Sequence, residues 1–531
     1  MKKIMVLFLL SILSISLLGC FNQEEPIDFS KEYPNSDNYY QLFVRSFADS
    51  DGDGIGDFNG IKENLDYFET LGIEGIWLMP IHPTSTMHGY DVEDYYDVNP
   101  EYGTLEDFEA LLDEANARGI DIIIDYVLNH SSNKHPWFEN FKNGVEPYTQ
   151  YYRKITSSDP RFNQNGAWGQ NIWHRLNTNY YYAGYFGGNM PDLNWSSPVV
   201  QDEMVDIAHY WLEKGVAGFR LDAAMHLQGV GEIPASFSSM DETLFALSLW
   251  EFRVKEEYPN AFIIGEVWDS FSTYSNYLTA IDSVFHFEYG DLVVNSLNAN
   301  GNFQYVDEVI RSYDLANEKD STSVLAPFLK NHDQHRMMSL LNDDIDRAKL
   351  AAEMLLSLPG APFIYYGEEL GVKGVKSGLS PVWDESVRLP MLWENDYKPT
   401  WPIDLWDYQD TFNDDVDGVQ TQIEDDSSIF NVYSRLFSLR KSSLALRYGA
   451  IVPYELNNTQ LQGFYRVFNH DEDNQEIVLV LHNLGQNDAI IEATGDVLYY
   501  THYDFDGILS PKSTVILTMP NSMIEDLEGH E

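Results

Sequence analysis

The chain has 531 residues, which is long enough for a large catalytic domain with one or two smaller domains. Hydrophobic residues make up 44% of it and aromatic residues 14%, a composition typical of a folded protein and not of a disordered one. Its 84 acidic and 32 basic residues give a formal net charge of −52 at pH 7, and such a surface would repel nucleic acid. Cys20 is the single cysteine, so a disulfide within the chain is excluded.

The first twenty residues have the pattern of an export signal. Lys2 and Lys3 precede an apolar stretch over residues 4–18, which is shorter than a membrane-spanning helix requires. The stretch ends in LLGC (17–20), which resembles the bacterial lipobox and thereby implies that Cys20 is lipidated. The polar residues 21–37 are predicted to form a tether. We therefore expect an exported protein on the outer face of the cell membrane, attached to it through the lipid alone.

Short runs rich in apolar and β-branched residues predict eight strands, over residues 40–44, 73–79, 120–125, 216–222, 261–266, 283–287, 324–330 and 362–366. Helical patterns lie between most of these runs, for example over residues 105–118 and 200–214. Eight strands that alternate with helices indicate an α/β fold, the (β/α)8 TIM barrel. The interval from Asp125 to Asp222 is about twice as long as the roughly 30–50 residues expected of one βα unit.

The long interval indicates a small domain inserted after the third strand, over residues 130–195. The barrel is then formed by residues 38–129 and 196–447, with its last helix over residues 429–441. After residue 448 the pattern changes to short alternating strands at 463–468, 476–482, 488–492, 496–500 and 513–519. This alternation predicts a C-terminal antiparallel β-sandwich domain over residues 448–524.

Three carboxylates, Asp222, Glu266 and Asp333, stand at the ends of predicted strands. Active sites of (β/α)8 barrels lie at the C-terminal ends of the strands, so we expect these side chains to share one cleft. Arg220 precedes Asp222 by two residues, and strand alternation places both on the inward face. A guanidinium there would favour the ionised form of Asp222. His130 and His332, at two further strand ends, offer hydrogen-bond donors for hydroxyl groups.

Seven segments, in chain order, resemble the signature regions of the α-amylase family, glycoside hydrolase family 13. The four regions that carry the chemistry in that family correspond to DIIIDYVLNH (121–130), GFRLDAAMH (218–226), GEVW (265–268) and FLKNHD (328–333). Three further matches are GIEGIWLMP (72–80), MPDLN (190–194) and GAPFIYYGEE (360–369). The resemblance extends from about Tyr39 to the C-terminal β domain.

The resemblance implies that Asp222 is the nucleophile, Glu266 the general acid/base and Asp333 the stabiliser of the transition state. Retaining hydrolysis through a covalent glycosyl–enzyme needs one ionised and one protonated carboxyl group, so we expect their pKa values to be pushed apart, with that of Glu266 raised. The resemblance also implies substrate contacts from seven residues, which are Tyr90, Asp91, His130, Arg220, His226, His332 and Arg388.

The segment DSDGDGIGD (49–57) has carboxylates at alternate positions, a density of hard oxygen ligands that suits Ca²⁺. Its twelfth position is Gly60 and not glutamate, so the loop is not an EF-hand. It resembles the calcium loop after the first barrel strand of oligo-1,6-glucosidase-like family members. That resemblance implies calcium bound by the side chains of Asp49, Asp51, Asp53 and Asp57 and by the main-chain carbonyl of Ile55. Asn129 is a candidate ligand for a second calcium.

The segment MPDLN (190–194) combines features of oligo-1,6-glucosidases and neopullulanases, as in the intermediary α-amylases, some of which are lipoproteins. We therefore predict endo-hydrolysis of α-1,4 bonds in starch, glycogen or maltodextrins by a monomer. The alternatives are an exo-acting α-glucosidase, an oligo-1,6-glucosidase or a neopullulanase/cyclomaltodextrinase-like enzyme. Arg388 keeps exo-action open, because its segment resembles one that clamps chain ends in exo-acting relatives together with the counterpart of Asp91. A non-catalytic glucan-binding lipoprotein is the alternative from another class.

Overall fold

The computed structural model describes residues 33–166, 169–227, 239–301, 303–377, 384–393, 413–456, 458 and 460–528. The export signal, Cys20 and most of the tether lie outside these residues, so export and lipid anchoring stay predictions. Within the described part of the chain, no helix has the length and apolar character that crossing a membrane requires.

Eight parallel strands form one sheet, as the sequence predicts. In spatial order they are Val324–Pro327, Ser283–His286, Phe262–Gly265, Gly218–Asp222, Asp121–Val127, Gly75–Leu78, Tyr39–Leu42 and Phe363–Tyr365. A parallel bridge between Phe328 and Phe363 joins the first and the last strand of this order and so closes the barrel. Gly75 pairs with Tyr39, and a Cβ at Gly75 would lie 2.2 Å from the Tyr39 ring, so only glycine fits beside this buried aromatic side chain.

Helices surround the barrel because each has an apolar face to bury. The helix Leu105–Ala117 buries Phe108 and Leu111, and it begins with a capping box between Thr104 and Asp107. The other long helices are Pro198–Glu213, Ser239–Glu257, Phe287–Asn298, Tyr305–Lys319, Ile345–Leu356 and Ile429–Ser442. Shorter helices are Val44–Phe47, Phe58–Glu63, Leu65–Leu71, Pro136–Lys142, Phe271–Tyr274, Met337–Leu340, Val419–Glu424, Leu444–Tyr448 and Ile524–Glu528.

The long interval after the third barrel strand contains a small sheet of its own. Its antiparallel strands are Lys154–Ile155, Tyr181–Ala183 and Trp173–Arg175. One antiparallel bridge joins His130 to Asp192, near the two ends of the predicted insertion. The inserted segment therefore returns to the barrel close to where it leaves, although its limits at 130 and 195 stay predictions.

The C-terminal region is antiparallel, as predicted. One sheet has the order Ala450–Pro453, Leu461–Asp471, Asn474–Asn483, Ser513–Met519 and Val497–Tyr500, and Ala489–Ile490 pairs with Ile508–Leu509 in a second. The sequence does not predict Ala450–Pro453 or Ile508–Leu509. The first is an edge strand that ends in proline and the second has two residues, so neither has enough alternation to be recognised.

Arg440 joins the last barrel helix to the segments that lead into the first and eighth barrel strands. Its side chain is 1% exposed. The guanidinium donates to the main-chain carbonyls of Leu356, Leu358 and Gly360 at 3.0, 2.6 and 2.8 Å and to Asn38 Oδ1 at 3.1 Å. With the main-chain carbonyl of Leu446 at 3.3 Å, five buried acceptors thus depend on one side chain.

Replacing Arg440 with methionine is expected to lower the free energy of unfolding by about 3–5 kcal/mol, because buried acceptors lose their donor. Chemical denaturation would measure the change. Lys441→Met is the matched control, since the Lys441 side chain is 45% exposed and lies 4.0 Å from Glu74. A similar loss in both variants would contradict a specific role for Arg440.

Candidate active site

A cleft of about 500 Å³ lies at the C-terminal ends of the barrel strands. Asp222 ends the fourth barrel strand, Glu266 directly follows the fifth, and Asp333 follows the seventh. All three line the cleft. The predicted convergence of these carboxylates is therefore present in the structure.

The backbone turn after Asp222 orients Glu266. Ala223 has a φ of 47°, in the left-handed region that residues other than glycine seldom adopt. In this conformation its N–H donates to Glu266 Oε2 at 3.0 Å. The Glu266 side chain is thereby held beside the strand that carries Asp222.

Arg220 lies between three carboxylates. Its Nη1 donates to Asp125 Oδ1 and to Asp222 Oδ1, both at 2.8 Å, and its Nη2 lies 3.0 Å from Glu266 Oε1. The side chain is 1% exposed, and the guanidinium carbon lies 5.0 Å from the centre of the Trp77 ring. One buried cation is therefore shared by three buried acids.

Burial raises the pKa of both Asp222 and Glu266 to about 7, although Arg220 opposes the rise at each. Burial also raises the pKa of Asp125 to about 6. The raised pKa of Glu266 agrees with the sequence prediction. Burial and the neighbouring Asp125 carboxylate raise the pKa of Asp222, whereas Arg220 lowers it, which is the direction that the sequence predicts for this guanidinium.

Asp333 has the opposite electrostatic environment. Its Oδ1 accepts from Arg388 Nη2 at 2.9 Å, and its Oδ2 lies 3.0 Å from His332 Nε2. Burial alone would raise the pKa of this carboxyl, but His332, Arg388 and Lys376 outweigh burial and hold the pKa well below its usual range. The separation of pKa values in this cleft is therefore between Asp333 and the other two carboxyl groups.

A chain of hydrogen bonds fixes the His332 ring. The Gln41 amide donates to Nδ1 at 2.6 Å, so Nε2 carries the proton in a neutral ring. Burial lowers the pKa of His332 to about 4, which keeps the ring neutral near pH 7. Nε2 faces Asp333 and the Tyr90 hydroxyl, which lies 2.7 Å away and donates to Asp125 Oδ2 at 3.1 Å. Tyr90 thus connects Asp125, which pairs with Arg220, to the His332 ring beside Asp333.

The structure does not bring Asp91 to the cleft. Asp91 is 2% exposed and is not among the described residues that line the cavity. Its carboxylate accepts hydrogen bonds from the hydroxyls of Thr84, Ser85 and Thr86. Asp91 therefore faces the hydroxyls of its own loop in this structure, and its contact with substrate stays a prediction.

The other predicted substrate residues differ in access. Tyr90, His130, His226 and Arg388 line the cleft. Arg220 and His332, which are 1% and 0% exposed, lie behind that surface.

One further aromatic side chain is positioned to contact a ligand. Trp268 is 49% exposed, lines the cleft and stacks on Phe287 with ring centres 5.0 Å apart. Phe186, Met190 and Met225 add apolar surface to the same cavity.

Several residues that support the site were not predicted from the sequence, namely Gln41, Trp77, Asp125, Trp268, Lys376 and Asp384. A polar residue among the apolar residues of the first strand is the signal that could have identified Gln41. Asp125 ends a predicted strand, as the assigned carboxylates do, and could have been included on the same ground.

The acidic loop after the first strand brings three of the predicted metal ligands together. One carboxylate oxygen each from Asp49, Asp51 and Asp57 lies within 4.8 Å of the others. Asp53 is not in this group, and its Oδ1 accepts from the Ile55 N–H at 2.8 Å. At the other candidate position, the Asn129 amide donates to Asp192 Oδ1 at 3.2 Å.

Comparison with known proteins agrees with this architecture. The model of the family "Alpha amylase, catalytic domain" matches residues 41–449. "Alpha-amylase 3" of Dictyoglomus thermophilum is 38% identical over 502 residues, covering 91% of this chain and 93% of that protein. "Oligo-1,6-glucosidase" of Parageobacillus thermoglucosidasius is 28% identical over 549 residues, covering 88% and 94%.

Solved structures are similar over nearly the same extent. The α-amylase from H. orenii has a TM-score of 0.79 at 34% identity, covering 92% of this chain and 100% of that one. Amy13B of Eubacterium rectale has a TM-score of 0.78 at 31% identity, covering 92% and 96%. With a family match over most of its length and a relative of 38% identity, this chain belongs to the α-amylase family, glycoside hydrolase family 13.

Proposed function

We propose that this enzyme is an α-amylase that hydrolyses internal α-1,4-glucosidic bonds of starch, glycogen or maltodextrins with retention of configuration. The observation that carries the proposal is the convergence of Asp222, Glu266 and Asp333 on one cleft, with Arg220 bonded to the first two. The relative and the solved structure named as α-amylases support this substrate class.

In the proposed first step, the Asp222 carboxylate forms a bond to the anomeric carbon while the bond from that carbon to the leaving oxygen breaks. Glu266 gives its proton to that oxygen, which its raised pKa favours. In the second step, Glu266 takes a proton from water, and the water oxygen displaces Asp222 from the sugar. Asp333, held ionised by its cationic neighbours, stabilises the positive charge that develops on the sugar ring.

The environment of Asp91 and Arg388 favours endo-action over the exo-acting alternative. Chain-end binding by the pair would need both side chains at one sugar, and of the two only Arg388 lines the cleft in this structure. Arg388 is bonded to Asp333 and lies 3.4 Å from Asp384, whereas Asp91 is bonded to the hydroxyls of its own loop. An exo-acting α-glucosidase or oligo-1,6-glucosidase remains the second candidate, on the strength of the relative named "Oligo-1,6-glucosidase".

The products formed early in the reaction would distinguish these activities. Protein that lacks residues 1–20 would be incubated with starch, cyclodextrin, pullulan and isomaltose, and product sizes followed over time. Endo-action predicts malto-oligosaccharides of intermediate length from starch before glucose accumulates. Glucose or maltose alone from the earliest samples would contradict endo-action, and hydrolysis of isomaltose would favour the second candidate.

Asp222→Asn is expected to reduce kcat on maltodextrin by about 10³-fold or more, because the amide cannot form the covalent intermediate. Asp222→Gly with added azide is the companion test. Azide would enter the vacated space and attack the anomeric carbon of an activated aryl α-glucoside. The bond to the aryl oxygen breaks, the phenol is released, and the β-glucosyl azide that forms is identified by chromatography. Substantial turnover by Asp222→Asn without azide would rule out Asp222 as the nucleophile.

We also propose that the loop of Asp49, Asp51 and Asp57 binds Ca²⁺. Ligands that lie 2.3–2.6 Å from one ion are at most about 5 Å apart, and the three carboxylate oxygens meet this limit. The remaining ligands of a six- to eight-coordinate ion would come from neighbouring carbonyls and water. A bound ion would stabilise the loop that follows the first barrel strand.

Calorimetric titration of chelator-treated protein with Ca²⁺ tests this site. Asp49→Asn and Asp51→Asn are each expected to weaken calcium binding by about tenfold or more, because each substitution removes one charged ligand. Asp53→Asn, which lies in the same loop but outside the group, is the matched control and is expected to bind nearly as the unaltered protein does. An absence of binding heat in the unaltered protein would exclude the site.

A further inference from the structure

Four charged side chains form a ring on the cleft wall beside Asp333. Arg388 Nη2 lies 2.9 Å from Asp333 Oδ1 and 3.4 Å from Asp384 Oδ2. Lys376 Nζ lies 2.8 Å from Asp384 Oδ1 and donates to the main-chain carbonyl of Asp333 at 2.9 Å. All four residues line the cavity. Neither Lys376 nor Asp384 belongs to the signature segments.

Backbone contacts connect this charged ring to the rest of the site. Arg388 Nε donates to the main-chain carbonyl of His332 at 3.2 Å. The main-chain N–H of Lys376 donates to His335 Nδ1 at 2.9 Å. The loop after the eighth strand is therefore bonded to the segment that carries Asp333 at several points.

The charges of the ring balance, two cations against two carboxylates. Removal of Asp384 would leave Lys376 and Arg388 with Asp333 as their remaining carboxylate in the ring. Asp333 would then be covered by two cations and less able to stabilise positive charge on a sugar. The wall would also carry unpaired positive charge that attracts anions.

We propose that Lys376 and Asp384 are positioning residues, which hold Arg388 and Asp333 in place for the transition state and keep the wall selective for neutral sugars. The proposal rests on the proposed glycosidase function. Asp384 acts through its ion pairs with Lys376 and Arg388. Lys376 acts by holding the Asp384 carboxylate and the main-chain carbonyl of Asp333 in place. Neither side chain needs to touch the reacting atoms.

The test measures kcat and KM separately on a malto-oligosaccharide, together with the binding of inorganic phosphate by calorimetry. Asp384→Asn is expected to lower kcat about tenfold, to change KM less than about twofold, and to bind phosphate at millimolar concentrations that leave the unaltered enzyme unoccupied. Lys376→Met is expected to lower kcat without creating phosphate binding, and Lys376→Arg to restore most of the activity. The double variant is expected to lose less than the product of the single losses, because the two residues act together.

Asp415→Asn is the matched control. Asp415 pairs with Lys373, which precedes Lys376 by three residues in the same loop. The Asp415 side chain is 76% exposed. Its substitution is expected to leave kcat, KM and phosphate binding unchanged.

An unchanged kcat and no phosphate binding in Asp384→Asn would overturn the proposal. An equal loss of kcat in Asp415→Asn would also overturn it. So would a fall in KM and kcat that accompanies a lowered unfolding temperature, because a merely structural role produces that result. If the unaltered enzyme released no sugar from any glucan, the proposed function would fail. Phosphate binding by Asp384→Asn alone would still support the role of Asp384 in setting the charge of the wall.

Discussion

The shared guanidinium of Arg220 is the interaction on which the rest of the active site depends. A buried cation costs several kcal/mol in lost hydration, and close carboxylates offset that cost. Asp125, Asp222 and Glu266 all meet it within 3.0 Å. Burial raises the pKa values of Asp222 and Glu266 to about 7, and the one positive charge that three acids share does not offset this rise. A proton donor is thus available beside a potential nucleophile.

Asp333 does not share in the raised pKa values of this cluster, because it has cationic neighbours of its own. Arg388 and neutral His332 satisfy its two oxygens, and Lys376 adds a further positive charge nearby. The cleft therefore contains one carboxylate that stays ionised over the ordinary pH range and a pair that can exchange a proton. Tyr90 contacts both regions, through His332 on one side and Asp125 on the other.

The sequence was sufficient to predict the barrel, all eight of its strands and the meeting of the three carboxylates. These features follow from local alternation and from the rule that the C-terminal ends of barrel strands meet on one face. The orientation of Asp91 could not be predicted in this way, because it depends on the hydroxyls of Thr84, Ser85 and Thr86. Lys376 and Asp384 come from an irregular loop, where no periodicity indicates which side chains turn inward.

The bridge from His130 to Asp192 brings the inserted segment back to the rim of the barrel. Phe186 and Met190 reach the cleft from the inserted segment, whereas Asp222 and Glu266 are held by the barrel strands. Substitutions in the insertion can therefore reshape one wall of the cleft while leaving the reacting groups in place. Substrate choice and bond cleavage can thus change separately, because different segments of the chain provide the apolar wall and the reacting groups.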